Sequence, residues 1–180
     1  MSIQKTIVMA IVATLCGFVS SVAVADDLFL KIDGVPGESV DKLHPNEIVL
    51  ESYKTGVVQS KTRRGEVNAE ATEFTAVAYT NSASPTLYAM AANGTRIASI
   101  VLSVRGQSGK SPIDYLKITL RNALVTSVNL GGEAASERAS DTYSFGGYSE
   151  IEVEYMPVGP GGEPGAPVQG GWDISQNAKK

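Results

Sequence analysis

His44, the only histidine of the chain, is the first residue whose type could do chemistry. A histidine can serve as the general base for a serine nucleophile or as a metal ligand, and both roles need partners of defined type and spacing. No Gly-x-Ser-x-Gly nucleophile elbow is present, and a metal site would need carboxylates as its other ligands. The sequence therefore favours a structural histidine in a loop ahead of Pro45.

Residues 108–111 are the second candidate, because their Ser-Gly-Lys-Ser order looks like the end of a phosphate-binding loop. Such a loop needs a glycine at the position of Val104, and it must open a helix whose N-terminus holds the phosphate. Here Pro112 leads into a pattern typical of a strand. We therefore predict no nucleotide site.

The third candidate is a row of acids, Glu150, Glu152 and Glu154, which could be imagined as the carboxylate pair of a glycosidase. Acids spaced by two on a strand share one face, so a solvated strand face explains them more simply. We therefore predict that the protein is not an enzyme and binds no cofactor or metal. A hydrolase that uses Glu152 or Asp114 is the remaining catalytic hypothesis.

The elements that would position these residues are mostly strands, because apolar and polar residues alternate with a period of two. A turn at residues 105–112 separates two of the richest runs. The second of them, residues 113–130, is long enough for two strands, and Asn122 near its middle is a place where it could bend or bulge. The pattern predicts strands within residues 28–32, 47–58, 74–79, 97–104, 113–130 and 149–155.

One short helix interrupts these strands. Ser84 has a side chain suited to the N-cap, Pro85 fits the first helical position, and Gly94 suits the residue that ends a helix. Together with about seven or eight strands and frequent turns, this predicts a mainly β fold, either a barrel or a sandwich.

Two segments lack a core-forming pattern. Residues 59–71 carry charges without an apolar period and are predicted to be an exposed loop. Residues 157–171 contain four prolines and six glycines and are predicted to be an extended linker. Trp172, the only tryptophan, follows this linker, and it is either a lid on the fold or an anchor in an interface.

Residues 1–25 have the order of a secretory signal peptide. Lys5 supplies the positive start, positions 7–24 carry no charge, and the Ala-Val-Ala that ends at Ala25 has the small residues that signal peptidase recognises. Cleavage between Ala25 and Asp26 is therefore predicted, with residues 26–180 as the mature domain. The alternative is a retained membrane helix, but no positive cluster follows the apolar run to stop transfer.

The predicted mature domain is acidic and has no cysteine, because Cys16 belongs to the signal segment and the net charge of the whole chain is −4. Acidity argues against nucleic acid or an anionic membrane as a partner after cleavage. Without disulfides in an oxidising compartment, a packed core or an assembly must hold the domain together.

Several short motifs follow one another along residues 27–178, and each is weak alone. They are Leu28-Phe29-Leu30-Lys31-Ile32, Gly37-Glu38-Ser39 with Asp41, His44 and Glu47-Ile48, Phe74-Thr75, Ser84-Pro85-x-Leu87, Tyr115-Leu116-x-Ile118-Thr119-Leu120, Glu152-Val153-Glu154-Tyr155-x-Pro157, and Gly171-Trp172-Asp173-Ile174 with Asn177. In this order the chain resembles the haemolysin-coregulated proteins, Hcp, the tube proteins of bacterial type VI secretion systems.

The resemblance implies a small antiparallel β-barrel with one short flanking α-helix that forms a hexameric ring. It also implies that rings stack into a tube, that a contractile sheath fires the tube, and that small effectors travel in the lumen. The implied partners are further copies of the chain, effector cargo, and sheath or spike components. Such assembly needs one heterologous interface that closes into a ring and a second that repeats without closing.

Four residues are candidate assembly contacts. An extended loop over residues 59–71 would be a natural connection to a neighbouring ring, and its charged candidates are Arg63, Arg64 and Glu66. The fourth is Trp172, in its role as an interface anchor. Relatives often have a glycine-rich stretch at this loop, so the stacking contacts of this chain are expected to differ.

The predicted signal peptide separates this chain from typical tube proteins, whose rings assemble in the cytoplasm. We therefore expect a secreted or periplasmic protein. It is either an exported ring subunit or an Hcp-like binding or adhesion module that works outside a firing tube. A wrongly assigned start codon is the competing explanation for the apolar N-terminal segment.

Overall fold

The computed structural model describes residues 26–61, 67–108, 111–134 and 136–180. Within them, a succession of strands is interrupted by one helix. The elements are β1 (Asp27–Ile32), β2 (Ile48–Leu50), β3 (Ser52–Lys54), β4 (Val57–Lys61), β5 (Val67–Ala71), β6 (Phe74–Tyr79), α1 (Ser84–Asn93), β7 (Arg96–Ser108), β8 (Ser111–Gly131), β9 (Ser140–Gly146), β10 (Glu150–Tyr155), β11 (Val168–Asp173) and β12 (Ala178–Lys179).

The longest strand, β8, organises the main sheet because it changes partner halfway along. One of its edges pairs with β7. The other pairs with β10 over residues 116–121 and with β9 over residues 124–131. The change falls at Asn122, whose φ is +54°, a left-handed conformation that asparagine tolerates better than most residues. The long apolar run is thus a single strand that is interrupted at the residue predicted to bend it. Its pairing register also shifts between Val125 and Ser127 and opposite Val104 and Arg105 of β7.

The other strands curl this sheet into a barrel. On one side β7 pairs with β1 and β1 with β2, and on the other β9 pairs with β6 and β6 with β3. Only Glu51 separates β2 from β3, and its N–H donates to Val77 O at 2.8 Å. The two ends of the sheet therefore meet through the chain itself, without a closed ladder of strand pairs, and the predicted mainly β, barrel-like fold with one short helix is confirmed.

Side chains from nearly all of these strands fill the interior. Burying each large apolar side chain stabilises the fold by about 1.5–3 kcal/mol, so a cysteine-free domain can hold together on its core. The largest fully buried apolar and aromatic side chains are Leu30, Ile48, Phe74, Leu87, Ile97, Ile100, Leu102, Leu120, Tyr143 and Phe145.

Helix α1 packs against β8 and contributes Leu87 to the core. Its C-terminal end is as predicted: Gly94 has φ +69° and donates its N–H to Met90 O at 3.0 Å. Pro85 lies in the first turn, where its missing N–H costs nothing.

The predicted N-cap of α1 is wrong. Ser84 is the first helical residue, and Ala83 occupies the capping position. The Ser84 hydroxyl instead donates to Asp141 Oδ2 at 2.6 Å, and the hydroxyls of Thr80 and Tyr143 donate to the same carboxylate at 2.8 and 3.2 Å. Asp141 is fully buried, and a buried carboxylate needs donors, so it takes the hydroxyl that capping would have used.

The exposed loop predicted over residues 59–71 is largely a two-stranded ribbon. β4 and β5 pair in antiparallel register from Val57↔Ala71 to Lys61↔Val67. Val57 and Val58 are consecutive and both about half exposed, so both faces of the ribbon meet solvent where β4 begins. A strand with two solvated faces shows no apolar alternation, which is why its pattern looked like a loop.

The predicted Gly/Pro-rich linker is shorter than its composition indicated. Residues 168–171 are the first part of β11, which pairs with β10 from Tyr155↔Val168 to Glu150↔Asp173. Gly171 permits a close approach there, because an added Cβ would lie 3.1 Å from Ile151 O. Glycines that pair through their backbone leave no side-chain pattern in the sequence.

Candidate assembly site

The ribbon of β4 and β5, residues 57–71, is called the arm below, and it is fixed to the barrel at its base. Thr72 follows the arm, and its N–H and its hydroxyl both donate to Gly56 O at 2.9 Å. The Tyr148 hydroxyl donates to Thr72 O at 2.7 Å. Because Tyr148 belongs to the buried core, these bonds anchor the base of the arm.

Three of the four candidate contacts, Arg63, Arg64 and Glu66, lie outside the described residues, between β4 and β5. Their part in assembly stays a prediction. Trp172 is described: it lies on β11 opposite Ile151, is partly buried, and packs against the core. Its buried Nε1 has no hydrogen-bond partner among the described residues. The roles of lid and of interface anchor both stay predictions.

The motif from Gly37 to Glu47 folds as a closed loop, residues 36–47, called the clasp loop below. Gly37 N–H donates to Asn46 O at 2.8 Å, and Ser39 N–H donates to Glu47 O at 2.9 Å. A Cβ on Gly37 would lie 2.5 Å from the carbonyl carbon and oxygen of Glu47. The crossing of the two chain segments therefore requires glycine at this position.

The acidic and polar residues of the motif hold the remainder of the clasp loop. Asp41 Oδ1 accepts the N–H groups of Leu43 and His44 at 2.8 and 3.1 Å, and Ser39 Oγ accepts the Asp41 N–H at 3.2 Å. Glu38 Oε1 reaches out of the loop and accepts the N–H of Ser82, just ahead of α1, at 2.8 Å. The spacing of the motif is thus explained by hydrogen bonds that the loop needs.

His44 joins the clasp loop to the barrel. Its Nδ1 lies 2.9 Å from Glu47 Oε2, and its Nε2 lies 3.0 Å from Asp114 Oδ2 on β8. The imidazole stacks on Phe29 of β1, with ring centroids 4.3 Å apart and planes 9° from parallel. Leu30 points into the core, so its neighbour Phe29 faces the opposite side of the strand, and the clasp loop covers that side.

Arg105 on β7 completes this network. Its Nε donates to Asp114 Oδ1 at 2.8 Å and its Nη1 donates to Asp41 Oδ1 at 2.9 Å. Burial alone would lower the pKa of the guanidinium, but the hydrogen bonds to Asp114 and Asp41 outweigh it, and the pKa of Arg105 is raised. The hydrogen bond from Arg105, followed by the one from the Leu43 N–H, lowers the pKa of Asp41.

The contacts of His44 are those of a structural residue, in agreement with the prediction from the sequence. Both ring nitrogens of His44 are engaged by carboxylates and one ring face is covered by Phe29, so no nitrogen is left to exchange a proton with a substrate. Sequence reasoning did not find the network, because Arg105 and Asp114 come from a distant hairpin. Among the described residues, no group of three or more His, Cys, Asp or Glu is arranged to hold a metal ion.

The clasp loop displays two apolar side chains. Val40 is 97% exposed and Leu43 is 70% exposed, although both stand between residues fixed by hydrogen bonds. Side chains this exposed add nothing to the core. A rigid loop that presents them to solvent has the character of a contact surface.

The acidic row on β10 is a partly neutralised surface. Lys180 Nζ binds Glu150 and also lies 2.9 Å from Glu152 Oε1, while Gln169 Nε2 donates to Glu154. Asp114, the other carboxylate of the hydrolase hypothesis, is engaged by His44 and Arg105.

The predicted cleavage site borders the barrel. Ala25 lies outside the described residues, and Asp26 directly precedes β1. The Tyr115 hydroxyl donates to Asp26 Oδ2 at 2.6 Å, and this bond raises the pKa of Tyr115 to about 12. Across the described ranges, no helix is both long enough and apolar enough to cross a membrane.

A family profile and a related protein both match most of the chain. The profile of the family described as "Type VI secretion system effector, Hcp" matches residues 29–155. The chain is similar to Protein hcp1 of Pseudomonas aeruginosa, with 32% identity over 163 residues that cover 86% of this chain and 99% of that protein.

Solved structures of the same kind share the fold. Hcp1 from Salmonella typhimurium is 30% identical with a TM-score of 0.75, covering 87% of this chain and 100% of that one. A structure described as a type six secretion system protein is 25% identical with a TM-score of 0.79, over 87% of this chain and 100% of the other.

Proposed function

The chain belongs to the Hcp family of the type VI secretion system, and we propose that it is an exported ring subunit that stacks into a tube. The observation that carries this proposal is the match to Protein hcp1, which extends over almost the whole of that protein. The work of such a subunit is mechanical and adhesive, with no catalytic step. Its first partner is a further copy of itself, in a hexameric ring.

Two features of the barrel supply what a ring that stacks requires. The arm begins with Val57 and Val58, two consecutive side chains that are both about half exposed, and of its described apolar side chains only Ala71, at its base, is partly buried against the core. The clasp loop presents Val40 and Leu43 on a rigid frame. Two different surfaces on one chain are the requirement for heterologous contacts, which close into rings or continue as filaments.

Cargo and machinery are the remaining partners of this proposal. A ring encloses a lumen, and small effectors are carried there while sheath and spike components act on the outside and the end of the tube. Arg63, Arg64 and Glu66, between the strands of the arm, are proposed as stacking contacts with the next ring. Trp172 is proposed as a lid that keeps the β10–β11 side of the barrel closed.

The N-terminal segment supports export by a signal peptide, with cleavage between Ala25 and Asp26. The same segment favours a second candidate function. An Hcp-like barrel delivered to the periplasm or the medium would act as a binding or adhesion module, because typical tube rings assemble in the cytoplasm.

Ring formation is tested with the mature domain, residues 26–180. Sedimentation velocity and negative-stain electron microscopy are expected to show closed rings, and removal of the arm is expected to leave rings that no longer stack. A monomer at every concentration would overturn the ring subunit. N-terminal sequencing of native protein, with its compartment, tests export: Asp26 as first residue outside the cytoplasm is expected, and an intact start inside would contradict the export that both functions share. Stacked rings in the exported protein then favour the tube subunit, and their absence favours the adapted module.

The remaining hydrolase hypothesis is tested separately. Glu152→Ala and Asp114→Ala are expected to change assembly or stability and no turnover, because both carboxylates are engaged by cationic side chains of the same chain. Hydrolytic activity that falls in either variant would contradict the absence of a catalytic role.

A further inference from the structure

We propose that the C-terminal return of the chain, residues 172–180, is a brace that sets the direction of the arm, with Asn177 as its positioning residue. The inference rests on the proposed function, in which the arm contacts a neighbouring ring. It gives residues 173–180 a role of their own, beside the lid proposed for Trp172.

Hydrogen bonds between described residues hold the arm at its base and at a point along its length. At the base, they join Thr72, Gly56 and Tyr148. The second point lies three residues before Thr72, where the Ala69 N–H donates to Asn177 Oδ1 at 3.2 Å. A ribbon held only at its base can pivot, whereas a second contact along its length fixes its angle.

The brace is itself built to be rigid. Asn177 lies in the turn between β11 and β12 with φ +50°, a conformation that asparagine adopts more readily than most residues. Asp173 Oδ1 accepts the Ser175 hydroxyl at 2.6 Å and the Gln176 N–H at 2.9 Å within that turn. Ile174 N–H donates to Ser149 O at 2.8 Å, which ties the turn to the barrel.

The far end of the return is fixed as well. β12 pairs with β11 at Trp172↔Lys179 and Asp173↔Ala178, and Lys180 N–H donates to Gly171 O at 3.2 Å. Lys180 Nζ binds Glu150 and Glu152 on β10. A continuous path of contacts therefore runs from the arm through Asn177 to the strands of the barrel wall.

An isolated two-stranded ribbon is marginally stable in water, so its order depends on what it touches. Holding the arm in one direction before it meets its partner lowers the entropy that binding must overcome. A single net hydrogen bond corresponds to a factor of about 2–10 in an equilibrium constant. In a ring of several copies the arms act together, so a factor of about 3 for each arm multiplies to a few hundred-fold at each junction.

The test compares three variants of the mature domain. Asn177→Gly keeps the positive φ without strain and removes the whole side chain, including the acceptor. Asn177→Asp keeps an oxygen at the acceptor position. Ala69→Pro removes the donor, and because this N–H points to Asn177 and away from β4, the ribbon ladder keeps its bonds.

Hydrogen exchange read by mass spectrometry over residues 67–71 reports the brace directly, and sedimentation with electron microscopy reports stacking. Asn177→Gly and Ala69→Pro are expected to exchange about 2- to 10-fold faster there and to stack less, with ring size and melting temperature unchanged. Asn177→Asp is expected to match the wild type. The double variant Asn177→Gly with Ala69→Pro should be no worse than either single one.

The brace is overturned if Asn177→Gly exchanges and stacks like the wild type, or if Asn177→Asp is as impaired as Asn177→Gly. A wild-type domain that forms no rings or stacks would instead contradict the proposed function. The exchange rates over the arm would still decide whether the brace exists.

Discussion

His44 and Asp114 stand 70 positions apart in the chain, yet His44 Nε2 lies 3.0 Å from Asp114 Oδ2. The contact joins the clasp loop to the hairpin of β7 and β8, which forms the barrel wall. The same Asp114 carboxylate also binds Arg105, which in turn binds Asp41 of the loop. The loop is therefore held by a circuit of polar side chains, and the loss of one member removes a bond from each of its neighbours in the circuit.

Replacement of His44 by alanine is expected to destabilise the domain by about 2–4 kcal/mol. The reason is that Glu47 is buried and would lose the hydrogen bond from the imidazole, while Phe29 would lose its stacking partner. The free energy of unfolding in urea, measured on the mature domain, checks this value.

Lys42→Ala is the matched control in the same loop, because Lys42 is exposed, and it should change the free energy by less than about 0.5 kcal/mol. A double-mutant cycle of His44→Ala and Asp114→Ala should show coupling, since the two residues share one bond. Strictly additive effects would mean that the contact does not hold the loop.

Gly37→Ala is expected to cost about 1–3 kcal/mol, because the new Cβ would overlap the backbone of Glu47. Gly170→Ala is the control, since a Cβ there meets nothing within 4 Å and alanine restricts the unfolded chain. The melting temperature of Gly37→Ala should therefore fall, whereas that of Gly170→Ala should rise or stay unchanged. Equal melting temperatures for Gly37→Ala and the wild type would contradict the tight crossing.

The ionisation of Tyr143 is expected to change the free energy of unfolding at alkaline pH. Burial, with a contribution from Asp141, raises its pKa to about 12 from the ordinary 10.0. A raised pKa means that the folded state keeps the proton more tightly, so the stability it contributes is complete below pH 10.0 and is lost as the pH rises through about 12.

Unfolding experiments at a series of pH values check this, with Tyr143→Phe compared against the wild type. The phenylalanine variant should lose less stability across the alkaline interval, because it has no phenol to ionise. Tyr88→Phe, at an exposed tyrosine of α1, serves as the control. Parallel curves for wild type and Tyr143→Phe would contradict the expectation.

Much of the barrel was predictable because its strands bury one face and alternate accordingly. Leu28, Leu30 and Ile32 of β1 show this pattern, and Gly94 ends the helix for reasons local to the chain. The arm was not predictable, because a ribbon with two solvated faces has no alternation. Nor was β11, whose glycines pair through backbone groups that leave no side-chain signal.

The assembly site was predictable only in part. The motif from Gly37 to Glu47 stands out in the sequence. Its polar residues bind Arg105 and Asp114, however, which only the fold brings near. Ser84 shows the converse case: its local preference for capping lost to the demand of the buried Asp141. Long-range polar contacts of this kind have no spacing rule that a single sequence reveals.

The clasp loop gives the last prediction, which concerns assembly and not stability. The double variant Val40→Ser with Leu43→Ser should unfold like the wild type, within about 0.5 kcal/mol, because both side chains are already in solvent. It should form fewer rings or shorter stacks, since a contact that buries these side chains loses apolar area. Sedimentation velocity over a concentration series measures this. Leu130→Ser, at another exposed leucine, is the control. Assembly identical to the wild type would show that the clasp loop faces solvent in the assembled protein too.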